Sequence, residues 1–194
     1  VLADCRYVLE RDPHRASARW LNAVALVKIE NYQVALSSLD LHVADYPQDP
    51  NGYCYRGICY ERLERLPQAI ADLDRAIAIQ SGQPVFHHAR GRTRQKLGDF
   101  AGALADFNIT IASKPQATVY DDRAQAHRCL GDRAAALTDA DRAIELNPKF
   151  INAYFRRGLI YTELGNLEPA LTNYSITLEL DPQHLNALIQ RSWI

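Results

Sequence analysis

Residues 151–184 read INAYFRRGLIYTELGNLEPALTNYSITLELDPQH, and residues 117–150 read ATVYDDRAQAHRCLGDRAAALTDADRAIELNPKF. Laid one over the other, they match Arg123 with Arg157, Leu130-Gly131 with Leu164-Gly165, Ala136 with Ala170 and Pro148 with Pro182. Within the later stretch small or aromatic residues recur three and four apart, as in Tyr154, Gly158 and Tyr161, then Ala170 and Tyr174. That is the period of an amphipathic helix, and it predicts two helices per stretch. The break between them falls at Leu-Gly-Asp or Leu-Gly-Asn, where Gly supplies a left-handed residue and Asp or Asn can cap the next helix.

The same frame extends in both directions. Pro13, Pro47, Ser81, Pro115, Pro148 and Pro182 are separated by 34, 34, 34, 33 and 34 residues. Ala35, Ala69, Ala103, Ala136 and Ala170 keep that step, as do the small residues Ala23, Gly57, Gly91, Ala124, Gly158 and Ser192. With the prolines at position 32 of each unit, the small series falls at position 8 and the alanines at position 20. Short side chains there let two helix backbones approach closely. One unit cannot bury its apolar stripe alone, so the units must stack. Pro67 and Pro169 fall in the first turns of second helices, where a missing N–H costs little.

This series, with aromatics at position 11 (Tyr60, Tyr161) and position 24 (Phe107, Tyr174), resembles the tetratricopeptide repeat (TPR). Ser81 in place of Pro, Ala140 in place of an aromatic, and Arg94 and His127 at position 11 depart from the pattern. The resemblance covers essentially the whole chain and implies an all-α fold, a right-handed α-solenoid superhelix of stacked helix-turn-helix repeats, generic and close to bacterial-type members. The expected organisation is a single solenoid. Residues 1–15 are the second helix of a truncated repeat, 16–49, 50–83, 84–116, 117–150 and 151–184 are complete repeats, and 185–194 start another. With Val1 first and no Met, the sequence reads as an excised or processed segment.

Position 7 is Arg56, Arg90, Arg123 and Arg157 in successive units, and position 23 is Asp72, Asp106 and Asp139, then Asn173. A planar guanidinium suits a bidentate carboxylate, so these residues are expected to form a structural Arg–Asp ladder between paired helices. A basic track for phosphate or RNA is the competing reading.

The resemblance further implies that positions 2, 5, 9, 12 and 13 of each first helix line a concave groove. On that basis Asn51, His88, Arg92, Gln95, Lys96, Asp121, Gln125, Arg128, Asn152 and Phe155 are the candidate peptide-binding residues. Trp20, Val24, Ile58 and Leu159 share those positions, and a tightly wound superhelix could use them for packing instead. A clamp for a C-terminal carboxylate would need Lys, Arg and Asn at set positions. The nearest window offers His88, Arg92, Asp122, Asn152 and Arg156, and Asp122 puts a negative charge where the carboxylate would sit. Position 6 also lacks the Asn ladder of the sugar-transferase relatives.

Composition narrows the function classes. The chain has 194 residues, 47% hydrophobic and 23% charged, enough to bury a core. With 22 Lys+Arg against 23 Asp+Glu the net charge is −1, so no bulk field draws it to nucleic acid or acidic lipid. No apolar run approaches the ~20 residues of a membrane span. Cys5, Cys54, Cys59 and Cys129 lack metal-ligand or scaffold spacing and suit a reducing compartment such as the cytoplasm. His87 and His88 diverge by about 100° on a helix and cannot chelate one ion. No phosphate loop, nucleophile elbow or HExxH occurs, so no catalytic residue, metal or cofactor is assigned. The expected partner is a protein or peptide, held by a scaffold or adaptor; a self-associating homo-oligomer and a single-stranded RNA-binding helical repeat are the alternatives.

Overall fold

Connections this short force consecutive helices to lie against one another. The computed structural model describes residues 2–12 and 15–194 and contains α1 (Leu2–Arg11), α2 (Ala16–Lys28), α3 (Tyr32–Asp45), α4 (Pro50–Arg62), α5 (Leu66–Ile79) and α6 (Pro84–Lys96). It continues with α7 (Phe100–Ser113), α8 (Ala117–Cys129), α9 (Arg133–Leu146), α10 (Ile151–Glu163), α11 (Leu167–Leu180) and α12 (Leu185–Ser192). No strand occurs among the described residues, and no helix is long and apolar enough to cross a membrane. Pro13, which starts the proline series, lies outside the described residues.

Two compact units divide the chain, one up to Leu97 and one from Gly98. In the first, each helix from α1 to α6 packs on the next, and α2, α4 and α6 also meet in turn. In the second, α7 to α12 follow one another in the same way, and α8 meets α10. Each unit is therefore a stack of helical hairpins, the all-α solenoid arrangement.

The small positions are where the helices touch. All five position-20 alanines, Ala35, Ala69, Ala103, Ala136 and Ala170, are fully buried. At Gly158 a Cβ would stand 2.6 Å from Cε1 of Tyr174, an impossible contact. That ring is wholly buried, and its hydroxyl lies 2.9 Å from Thr162 Oγ1. Absence of a side chain at position 8 thus makes room for the aromatic at position 24 of the same hairpin.

Position 15 adopts a left-handed backbone in all five complete units: Gly98, Gly131 and Gly165 have φ of 82°, 84° and 76°, and Glu30 and Glu64 have 62° and 57°. The turn geometry demands it. The Asn31 amide reaches back to Leu26 O (2.9 Å), Arg65 to Tyr60 O (2.8 Å), Asp132 to His127 O (3.0 Å) and Asn166 to Tyr161 O (2.9 Å), closing the last turn of α2, α4, α8 and α10. Beyond it Asp99 accepts from the Gly102 amide at 2.9 Å and Asp132 from Ala135 at 3.0 Å. Asn166 makes no such cap, so the expected device operates at two of the three Leu-Gly turns. Its neutral amide oxygen is a weaker acceptor than a carboxylate at a helix N-terminus.

Candidate binding face on the first helices

The recurrent arginines act within the stack. Arg56 donates from Nε and Nη2 to both oxygens of Asp72, at 2.7 and 2.8 Å, and Arg123 holds Asp139 in the same way at 2.8 and 2.6 Å. Arg157 makes the corresponding Nε bond to Asn173 Oδ1 at 2.8 Å. Asp72, Asp106 and Asp139 are all buried. Donating to the Asp72 carboxylate raises the Arg56 pKa, and donating to Asp139 raises that of Arg123.

Each of these arginines also reaches the preceding hairpin, a contact the sequence reading missed. Arg56 Nη1 donates to Asp40 (2.9 Å), Arg90 to Asp74 (2.7 Å), Arg123 to Asn108 (2.7 Å) and Arg157 to Asp141 (2.6 Å). All four acceptors occupy position 25, where Asp or Asn recurs as regularly as the arginines do. One guanidinium therefore ties its own second helix to that of the repeat before.

Most charged candidates on the presumed groove face already have partners. In the first unit, Glu61 is buried yet receives Lys96 Nζ at 2.7 Å and Arg92 Nη2 at 3.3 Å. Lys96 also bonds Glu64 at 3.0 Å. Burial pulls the Lys96 ammonium down, but its bonds to Glu61 and Glu64 outweigh this and leave it raised. In the second unit, Arg156 donates from Nε and Nη2 to Asp121 at 2.6 and 2.8 Å, and also to Gln125. Burial pushes the Asp121 carboxyl up against the pull of that guanidinium. Arg128 pairs with Glu163, which Arg133 approaches at 3.3 Å. Facing first helices are thus stapled across their charges: Glu61 and Glu163, at groove positions 12 and 13, and Arg156, from the clamp window, serve as partners of the candidates rather than as free groove groups.

The remaining candidates differ in accessibility. Asn51 and Asn152 are exposed, and Gln95 has a buried Oε1 without a hydrogen-bond partner. Phe155 is half-buried, with its ring centroid 4.8 Å from that of His184 and 5.9 Å from that of Tyr174.

Two pockets open in the first unit. One, about 130 Å³, is lined by Ile58, Leu73, Val85 and Ala89 with Glu61, His88, Arg92 and Thr93. The other, about 360 Å³, is lined by Ser17, Trp20, His42, Tyr46, Asp49 and Asn51. Position-2 and -5 residues contribute to both and position-9 residues to the smaller, whereas His42, Tyr46 and Asp49 in the larger come from α3 and the following turn. No sequence signal marked those three.

Comparison with known proteins follows this geometry. The family model described as Tetratricopeptide repeat matches residues 3–50 and 122–184, more than half of the chain. The chain is 44% identical over 61 residues to a Protein SGT1 homolog of Oryza sativa subsp. japonica, covering 31% of this chain and 17% of that protein. It therefore spans about a sixth of that relative. Among solved structures, the APC/C hetero-tetramer Cut9–Hcn1 superposes with TM-score 0.88 at 17% identity, over 98% of this chain and 38% of the other. YrrB, described as a TPR protein with an unusual peptide-binding site, superposes with TM-score 0.74 at 18% identity, over 99% of this chain and 100% of its own. At such identities the structural likeness is one of fold.

Proposed function

The chain belongs to the tetratricopeptide repeat family, and we propose that it captures a peptide segment of a partner protein on the open face of its first helices, acting as scaffold or adaptor. One observation carries the reading: first-helix residues line the two pockets described above, Trp20 and Asn51 in the larger and Val85, His88 and Arg92 in the smaller. The face combines apolar floor with donors that are already positioned, which lowers the ordering cost of binding an extended segment. The relatives support the same class, since YrrB is described as having an unusual peptide-binding site and Cut9–Hcn1 is a hetero-tetramer.

Val85 tests the groove better than its charged neighbours do. Arg92 and Lys96 neutralise buried Glu61, so reversing them would disturb the fold as well as the face. Val85 is 53% exposed and can be changed without opening the core. A peptide enriched on the full chain from a random library should lose affinity about tenfold or more with Val85→Asp, measured by fluorescence polarisation. Unchanged affinity removes this face from consideration.

Self-association is the second reading. In the second unit α12 leaves Leu185, Leu188 and Ile189 exposed along one stripe, with Trp193 beyond them. Sedimentation at several concentrations separates this reading from peptide capture, because only self-association makes the apparent mass rise with concentration.

A further inference from the structure

The larger pocket has a chemistry of its own. Trp20, His42 and Tyr46 are arranged in series, with ring centroids 4.7 Å apart between the first two and 5.1 Å between the last two, both pairs tilted by about 30°. His42 Nε2 lies 2.7 Å from Asp49 Oδ2. A carboxylate can only accept, so the Nε2 proton is the one shared, and Nδ1 of the neutral ring is left as an acceptor. That Nδ1 is buried with no hydrogen-bond partner, on a side chain only 8% exposed. Asp49 is the one acidic residue of the lining, and the lining contains no Lys or Arg.

These features select for charge sign. An anion would look for backbone N–H groups at the start of α4, yet Pro50 has none and the Asn51 amide is already taken by Asp49 Oδ1 at 3.0 Å. A cation meets the Asp49 carboxylate, which holds only hydrogen bonds from His42 Nε2 and from the Asn51 amide and side chain, beside the rings of Trp20 and Tyr46 and with no Lys or Arg in the lining, the combination that attracts ammonium groups. A pocket of about 360 Å³ has room for a four-carbon stem with an ammonium at its tip. We propose that this pocket seats a lysine side chain of the captured peptide, with Asp49 as counter-ion and Trp20 and Tyr46 as the π walls. The inference rests on the peptide-capture reading for its biological source, but the pocket's selectivity can be measured without a partner.

The full chain carrying Trp193→Phe leaves Trp20 as its single tryptophan reporter. Titration with Nα-acetyl-lysine amide should change Trp20 emission saturably, whereas Nα-acetyl-norleucine amide, which carries a methyl in place of the ammonium at nearly the same shape, should not. Asp49→Asn keeps a capping side chain at α4 and should weaken the ammonium compound about tenfold. Should that variant unfold, Tyr46→Leu, at a residue 45% exposed, should weaken binding in its place. Equal responses to the two compounds, no saturable response to the ammonium, or undiminished affinity in both variants overturns the proposal. If the ammonium response is absent while a selected peptide still depends on Val85, only this pocket falls; the reverse result sinks only the groove reading.

Discussion

Replacing Arg123 by Met tests the ladder at its best-formed rung. Asp139 beneath it has a side chain only 5% exposed, and both its oxygens accept from the one guanidinium. Met preserves the apolar stem but leaves a buried carboxylate without its counter-charge, a loss of about 3–5 kcal/mol for a fully buried pair. Arg123 is itself 21% exposed, and His127 Nε2 stands 3.9 Å from Asp139, so partial compensation brings the expectation to about 2–4 kcal/mol. The chain contains its own control. Arg157 occupies the same position, but its inward partner is the neutral Asn173 and its outward partner is the exposed Asp141. Arg157→Met therefore strands no buried charge and should cost about 1–2 kcal/mol. Urea unfolding should be read together with amide exchange over α8–α9 and α10–α11, because stacked repeats need not unfold as one unit. Pairing Arg123→Met with Asp139→Leu should recover most of the loss, since an apolar pair of similar volume is often as stable as the ion pair. A cost for Arg123→Met no greater than that for Arg157→Met would refute the argument.

Glu30→Gly should raise stability by about 0.5–1 kcal/mol in thermal unfolding, because the ~1–2 kcal/mol left-handed penalty at φ 62° exceeds the extra chain entropy of Gly. No gain would show that the turn relaxes away from that conformation. Gly158→Ala should lower stability by about 1–3 kcal/mol through the Tyr174 ring, and Tyr174→Leu should relieve part of that loss when the two changes are combined; strict additivity would contradict the contact. Thiol titration of the native chain should show fast reaction at exposed Cys129, while Cys54 and Cys59, pushed up to about 12 by burial, react only on unfolding; fast native reaction at either would refute their placement.

Helix pairing was legible because its cause is local and repeated. A period of 34 residues, small residues at two fixed positions and Gly at three turns each express a steric requirement that every unit must meet, so one chain samples the same rule five times over. The same logic exposed half of the ladder, and the missed half, Asp40, Asp74 and Asp141, had an equally regular signal at position 25. At Glu30 and Glu64 the signal was absent, since turn closure imposes a left-handed residue there without the glycine that would announce it.

The candidate face was less legible. Spacing placed Arg92, Lys96 and Asp121 on first helices but treated them as groups awaiting a ligand. The structure pairs them with Glu61 and Arg156 on adjacent helices, because each side chain is long enough to cross to its neighbour and a half-buried charge is stabilised most by the nearest opposite one. The Trp20 pocket lay further from view, as His42, Tyr46 and Asp49 follow no repeat and meet Trp20 only once α2, α3 and the turn before α4 are packed. Period, helix identity and stacking thus follow from the residues alone, being set by backbone sterics and apolar spacing. Which charges remain for a partner, and where a pocket opens, was decided in three dimensions, because both depend on the reach of side chains between helices that sequence distance does not measure.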